Sequence, residues 1–187
     1  MRKIAVVFPG VGYTVEKPLL YYTASEAKDA GYQLLKLDYG EEIHSFQGRS
    51  EAGLESLMEK AKNKVKEQLE VIDWGQYEKI LFISKSIGTT LACWVEKELG
   101  IRVKHCLLTP IPLTIPYLSE ADGLLFVGMA DPYMKKKVVE QVVKEYPEKV
   151  GEVFFDCNHS LERPGHTILN LKNVKKVVKK LKKMIEE

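Results

Sequence analysis

At 187 residues, 45% of them hydrophobic and 29% charged, the chain is long enough for one folded domain with a substantial core. Its 28 basic and 26 acidic residues leave a net charge of +2, which is no footprint for nucleic acid. No stretch approaches the roughly 20 apolar residues of a membrane span, so neither nucleic acid nor a membrane is expected as a partner. Three scattered cysteines, Cys93, Cys106 and Cys157, form no C-x-x-C pair and are expected as reduced thiols of a cytoplasmic protein.

In chain order, the apolar run over 3–8 follows a basic start. It is too short for a secretory leader core and breaks at Pro9-Gly10, so a buried first strand is expected. The turn Pro9-Gly10-Val11-Gly12-Tyr13 leads into a helix over about 17–30 and a second strand over 33–37. A polar loop over 38–50, without periodicity, precedes a long helix over about 52–71. There Leu54, Leu57, Met58, Ala61, Val65, Leu69 and Ile72 recur close to the helical period. A third strand over 79–83 is followed by a helix over 87–99, which Gly100 is placed to end. The fourth strand, 103–108, gives way to 109–116, whose three prolines exclude a helix or an inner strand. A fifth strand over 123–127, a helix over about 132–146 and a sixth strand over 150–155 come next. The terminal helix begins near Leu171, with Val174, Val177, Val178, Leu181 and Ile185 on one face and lysines covering the rest. Strands alternating with helices, and no hairpin signal, predict a three-layer α/β/α sandwich. About six mostly parallel strands form a single domain over 1–187.

In such sheets, ligands bind beyond the carboxyl ends of the strands. Those ends carry Pro9-Gly10-Val11-Gly12, Ser84-Lys85-Ser86-Ile87-Gly88, Gly128-Met129-Ala130-Asp131 and Asp156-Cys157-Asn158-His159-Ser160. A serine hydroxyl is a weak nucleophile near neutral pH and needs a base, which in turn needs an orienting acid. A sharp strand-to-helix turn exposes the hydroxyl and aims the next N–H, that of Ile87, at a developing oxyanion. Each of these residues has a plainer reading. Ser86 is a good helix N-cap, and Asp131 suits the cap of a helix opened by Pro132. Asp156 is the second candidate acid, and His166, on the same loop, the second candidate base. Lys85 raises a serine–lysine dyad, but neighbours on such a turn point in different directions, so a solvated or substrate-facing lysine is expected. His105, inside the fourth strand, reads as structural. The histidines and cysteines lack metal-ligand spacing and neither glycine stretch is a nucleotide motif, so no metal or organic cofactor is expected.

With Ser86, Asp131 and His159 in that chain order, the sequence resembles the α/β-hydrolase superfamily over nearly its whole length. Within it, Asn158-His159-Ser160-Leu161-Glu162 looks like the histidine loop of small, cap-less hydrolases of the dienelactone-hydrolase-like type. The resemblance implies a nucleophile elbow in which Ser84 stands where the first glycine is usual. It also implies a sheet lacking the family's first two strands. The family's loop after the next strand normally carries His-Gly and donates a second oxyanion N–H. Here that loop reads Pro-Gly, and by position the donor is Val11, with Gly12 the lesser candidate. The expected function is a serine hydrolase that uses Ser86, His159 and Asp131 on a small ester, thioester or lactone. The alternatives are a non-catalytic binding protein of the same fold and an acyltransferase with the same triad. The partner implied is a small-molecule acyl substrate, with the protein a monomer or homodimer. Expected pocket walls are Gly12-Tyr13-Thr14, the loop from His44 to Gln47, and the segment 109–117. Ile111 and Tyr117 of that last segment are placed to form an apolar rim or to pack on the core.

Overall fold

The computed structural model of the chain describes residues 1–44 and 51–187. The β-branched and aromatic runs form six strands: β1 (Lys3–Phe8), β2 (Gln33–Lys36), β3 (Lys79–Lys85), β4 (Lys104–Leu108), β5 (Gly123–Gly128) and β6 (Val150–Phe154). They make one sheet in the order β2-β1-β3-β4-β5-β6, and every pairing is parallel. Among the described residues the α-helices are α1 (Pro18–Asp29), α2 (Glu41–His44), α3 (Glu51–Leu69), α4 (Ile87–Leu99), α5 (Lys136–Glu145) and α6 (Thr167–Glu186).

Strand side chains alternate between the two faces, and each face is apolar. Ala5, Val7, Leu81, Ile83, Cys106, Leu108 and Phe126 meet Leu20 and Ala24 of α1 and Val177 and Leu181 of α6. On the other face, Val6, Phe8 and Phe82 meet Ala61 and Val65 of α3 and Leu91 of α4. Further along that face, Leu107, Leu125 and Val127 pack with Cys93 of α4 and with Val139 and Val142 of α5. The result is the three-layer sandwich, with the middle of the sheet sealed from water on both sides.

Four segments differ from the sequence expectation, each for a local reason. The expected polar loop 38–50 contains α2. A four-residue helix that buries only Ile43 leaves no periodicity to read, and residues 45–50 lie outside the described residues. The prolines of 109–116 do not prevent a 3-10 helix over Pro112–Tyr117: Pro112 occupies its first turn, where no N–H is needed, and Pro116, inside the helix, removes one N–H from it. Helix α5 starts at Lys136 instead of near Pro132. The Asp131 carboxylate accepts the Tyr133 N–H at 2.8 Å, closing a side-chain turn in place of a helical one. Helix α6 starts at Thr167, about a turn earlier than expected, because Ile168, Leu169 and Leu171 face solvent and give no apolar stripe. The expected stop at Gly100 holds: it takes the left-handed conformation, φ 61°.

One glycine fixes the approach of α4 to the sheet. A Cβ on Gly88 would press on the carbonyl oxygens of Phe8 and Pro9, the latter at 2.6 Å, and both are backbone atoms of the buried β1 terminus. Gly88→Ala is therefore expected to destabilise the fold by about 2 kcal/mol or more. Urea unfolding of the variant against the parent chain measures this. An unchanged midpoint would mean that α4 shifts freely.

Candidate active site

Strand β3 and helix α4 are joined by Ser86, whose backbone stands at φ 57°, ψ −123°. For a residue other than glycine, such a conformation costs about 1–3 kcal/mol and persists only where neighbours hold it. Here the Ser86 N–H donates to the Leu108 carbonyl at 3.1 Å, and its own carbonyl accepts the Thr89 N–H at 3.0 Å and the Thr89 hydroxyl at 2.6 Å. Gly10 leaves the turn room, since a Cβ there would lie 3.0 Å from the Ser86 Cβ. Ser86 makes no side-chain capping bond to α4. Its hydroxyl lies 2.8 Å from Nε2 of His159 instead.

The far side of the imidazole meets Asp131, with Nδ1 of His159 2.6 Å from Oδ2. A carboxylate only accepts, so Nδ1 carries the proton, and Nε2 is left to accept from the Ser86 hydroxyl. Asp131 is nearly sealed from solvent, and its other oxygen is occupied by the Tyr133 N–H. The Tyr133 ring packs on the imidazole with centroids 4.6 Å apart. Burial holds the His159 pKa below the ordinary histidine value. The Asp131 hydrogen bond opposes that shift, and the charge of Lys85 adds to it.

The histidine loop is built to hold its place. The Asn158 side chain accepts the N–H groups of Ser160 at 2.8 Å and Glu162 at 3.2 Å. Asn173, buried on α6, donates to the Leu161 carbonyl at 2.8 Å and to Sγ of Cys157 at 3.3 Å. The Thr109 hydroxyl donates to the His159 carbonyl at 2.9 Å. Gly128 lets the loop close, because a Cβ there would meet the Cys157 carbonyl oxygen at 2.5 Å. Tyr133 and Asn173 carry no sequence signal as site residues, and Thr109, although inside the expected wall 109–117, carries none for its bond to the histidine loop. Only the Thr109 backbone, at φ 43°, marks that position locally, and φ is not written in the sequence.

The rival residues lie elsewhere. Asp156 is exposed and faces Arg163 at 4.0 Å. His166 is exposed and stands at the N-terminus of α6. His105 is buried, with Nε2 2.8 Å from Glu96. Ser84 is sealed in the sheet, its hydroxyl donating to the Cys106 carbonyl at 3.4 Å. Lys85 corrects the expectation most sharply: it is fully buried, neither solvated nor open to a substrate. The reason is geometric. Lys85 is the last residue of β3, between β1 and β4, and its side chain runs under Tyr13 with Nζ 4.9 Å from the ring centroid.

The turn after β1 is braced by its own backbone. Gly10 and Tyr13 exchange N–H···O bonds of 3.0 and 3.4 Å, and the Gly12 N–H donates to the His44 carbonyl at 3.0 Å. With Gly12 committed, Val11 is the remaining candidate donor on this turn. Ile87 is the first residue of α4, where the N–H has no partner within the helix. His44 touches this turn through its backbone, while its ring stacks on Tyr39 and its Nε2 pairs with Asp38 at 2.9 Å. The rest of the expected wall, 45–47, lies outside the described residues. Tyr13 is half-buried, and its hydroxyl accepts the Leu19 N–H at 3.1 Å.

Of the two readings left open for 109–117, an apolar rim or packing on the core, Ile111 takes the second. Thr114 bridges the hydroxyls of Thr89 and Thr90 at 2.7 and 2.8 Å, docking the 3-10 helix on α4. Ile111 is consequently buried in the core cluster that contains Ile87. Tyr117 lines a cavity with Cys93, Glu96, Lys97, Ile101 and Glu120, toward the far end of α4 from Ser86. No three His, Cys, Asp or Glu side chains among the described residues are grouped to hold a metal ion. No helix among them is long and apolar enough to cross a membrane.

No protein-family model matches the sequence, and no curated protein is similar to it. Solved structures are similar in fold. A Xanthomonas campestris protein assigned to the α/β hydrolase superfamily superposes with a TM-score of 0.66 at 13% identity, over 100% of this chain and 99% of its own. An α/β serine hydrolase homologue from Coxiella burnetii gives 0.62 at 14%, over 95% of this chain and 84% of its own. An esterase from Pyrococcus furiosus gives 0.59 at 14%, over 97% and 82%. Strand order, parallel pairing, helices on both faces and these neighbours agree: the chain has the α/β-hydrolase fold.

Proposed function

We propose that this protein is a serine hydrolase that cleaves a small ester, thioester or lactone through an acyl-enzyme. The observation that carries the reading is the unbroken hydrogen-bond chain from Ser86 Oγ through His159 to Asp131, with the hydroxyl raised on a strained turn. Serine at an ordinary helix cap needs neither the strain nor the histidine.

In this reading Ser86 Oγ attacks the substrate carbonyl carbon while its proton passes to Nε2 of His159. The oxygen that gains charge is received by the N–H groups of Ile87 and Val11. When the tetrahedral species collapses, the alkoxide or thiolate leaves with the proton from His159. Water then attacks the acyl carbon, giving its proton to His159, which passes it to Ser86 Oγ as the acyl–oxygen bond breaks and the acid product leaves. Asp131 holds the imidazole in place and supports its rising charge.

A fluorophosphonate probe tests the reading: covalent labelling at Ser86, mapped by peptide mass spectrometry, is expected together with turnover of short acyl esters. Absence of labelling in the folded protein would favour a non-catalytic binding role. Labelling with acyl transfer to an added alcohol or thiol, in place of hydrolysis, would favour a transferase. The base must be neutral to accept the proton, and burial lowers the His159 pKa. Activity is therefore expected to persist to a lower pH than an unperturbed histidine near 6.5 would allow. A pH profile of kcat/KM reads this as the position of its acid limb.

A further inference from the structure

Among the described residues Lys85 is the one fully buried lysine, and the proposed mechanism leaves it without a task. Among the described residues its Nζ has no hydrogen-bond partner, and it sits against the face of the Tyr13 ring at 4.9 Å. An amine in this position costs free energy that an apolar side chain of equal length would not, so packing alone does not account for it. A ring face accommodates a cation but offers no acceptor lone pair. Full burial also excludes contact with a substrate carboxylate. A dyad with Ser86 has no support either, since the Ser86 hydroxyl is engaged with His159.

We infer that Lys85 is a positioning residue for the charge of the triad: its buried end acts on the Asp131–His159 pair and sets the pH at which His159 becomes free to serve as base. The inference rests on the proposed hydrolase reading for its catalytic meaning, though the coupling itself does not depend on turnover. Lys85 directly precedes Ser86, whose hydroxyl lies 2.8 Å from His159, itself 2.6 Å from Asp131, so the buried amine and the triad share one end of the sheet. The groups its charge acts on are Tyr13 from the turn after β1, Asp131 from the loop after β5, and His159 from the loop after β6. The Tyr13 hydroxyl, pushed up to about 12 chiefly by burial, stays neutral through the working range. The negative charge of Asp131 favours the lysine cation, and that cation disfavours a second positive charge on His159. Burial outweighs the Asp131 attraction and lowers the Lys85 pKa to about 7. Both the lysine and the histidine are held below their ordinary values, and each charge is felt by the other. Below the lysine pKa the cation suppresses the imidazolium, and above it the repulsion is lifted as the lysine becomes neutral.

The test follows the His159 imidazole by NMR as pH is varied, in the parent chain and in Lys85→Met, which keeps the stem and removes the amine. Loss of the cation is expected to raise the His159 midpoint by roughly half a pH unit or more and to leave a simple one-proton curve. The acid limb of kcat/KM moves upward by the same amount. In the parent chain, the His159 resonance is expected to report a second inflection from Lys85 between about pH 5 and about pH 10. An unmoved midpoint in Lys85→Met overturns the inference. If that variant does not fold, a single simple curve in the parent chain overturns it instead. A shifted His159 midpoint in a protein whose Ser86 takes no fluorophosphonate would keep the coupling and reject the hydrolase reading, so the two failures are distinct.

Discussion

Replacing Ser86 with alanine is expected to lower acyl-ester turnover by about 10³-fold or more and to leave no site for fluorophosphonate. The fold is expected to survive the change. The Ser86 hydroxyl is bonded to His159, not to the core, and it does not cap α4. Alanine fills the same backbone position with one atom fewer. It inherits the unfavourable φ of 57°, which serine also bears, so that strain is nearly unchanged between the two. Circular dichroism and urea unfolding would then coincide with the parent chain while activity is gone. Retained turnover in Ser86→Ala would overturn the nucleophile assignment. His159→Ala is expected to match the loss, and His166→Ala to leave turnover within about twofold, because the His166 side chain stands exposed at the start of α6.

The second large effect is expected from Asp131→Asn, and its cause is specific to this site. Asp131 spends one oxygen on the Tyr133 N–H, 2.8 Å away, and the other on His159, 2.6 Å away. An asparagine keeps a single acceptor oxygen. If that oxygen stays with the Tyr133 N–H, the amide NH₂ faces Nδ1 of His159 and forces it to accept. The imidazole then carries its proton on Nε2, pointing at the Ser86 hydroxyl, and can no longer take a proton from it. Loss of the negative charge also removes the support for imidazolium. Turnover at neutral pH is expected to fall by about 10³–10⁴-fold, as found when this kind of acid is neutralised in other triads. Tautomer-sensitive nitrogen shifts of the His159 ring would check the cause directly. A large rate loss with the proton still on Nδ1 would mean that charge, not tautomer, is the larger contribution.

The two variants probe different layers of information in the chain. Ser86, Asp131 and His159 were recognisable because each stands just past a strand whose apolar run is plain, and because strand ends of a parallel sheet converge. Alternation of short apolar runs with helical periods was enough for the layer order. The start of α6 was hidden, because exposed Ile168, Leu169 and Leu171 carry no amphipathic signal. The start of α5 was hidden by Asp131 itself: a carboxylate before Pro132 looks like a helix cap until the histidine that claims its other oxygen is in view.

What the sequence determined by itself was therefore the periodic part: six strands, their helices, and the chemical types waiting at the strand ends. Periodicity follows from backbone geometry and burial of one face, and both are written locally. The tertiary structure alone decided which groups are near one another and which are cut off from water. Thr109 reaches the His159 carbonyl across 50 positions, and Asn173 braces the same loop from α6. Thr114 pulls Ile111 into the core, away from any rim. Lys85 shows the division most plainly. By its letter it is a surface residue with a fixed charge, and by its position beneath Tyr13 it is a buried amine whose charge depends on pH. Desolvation is a property of the assembled surroundings, which no stretch of sequence around residue 85 contains.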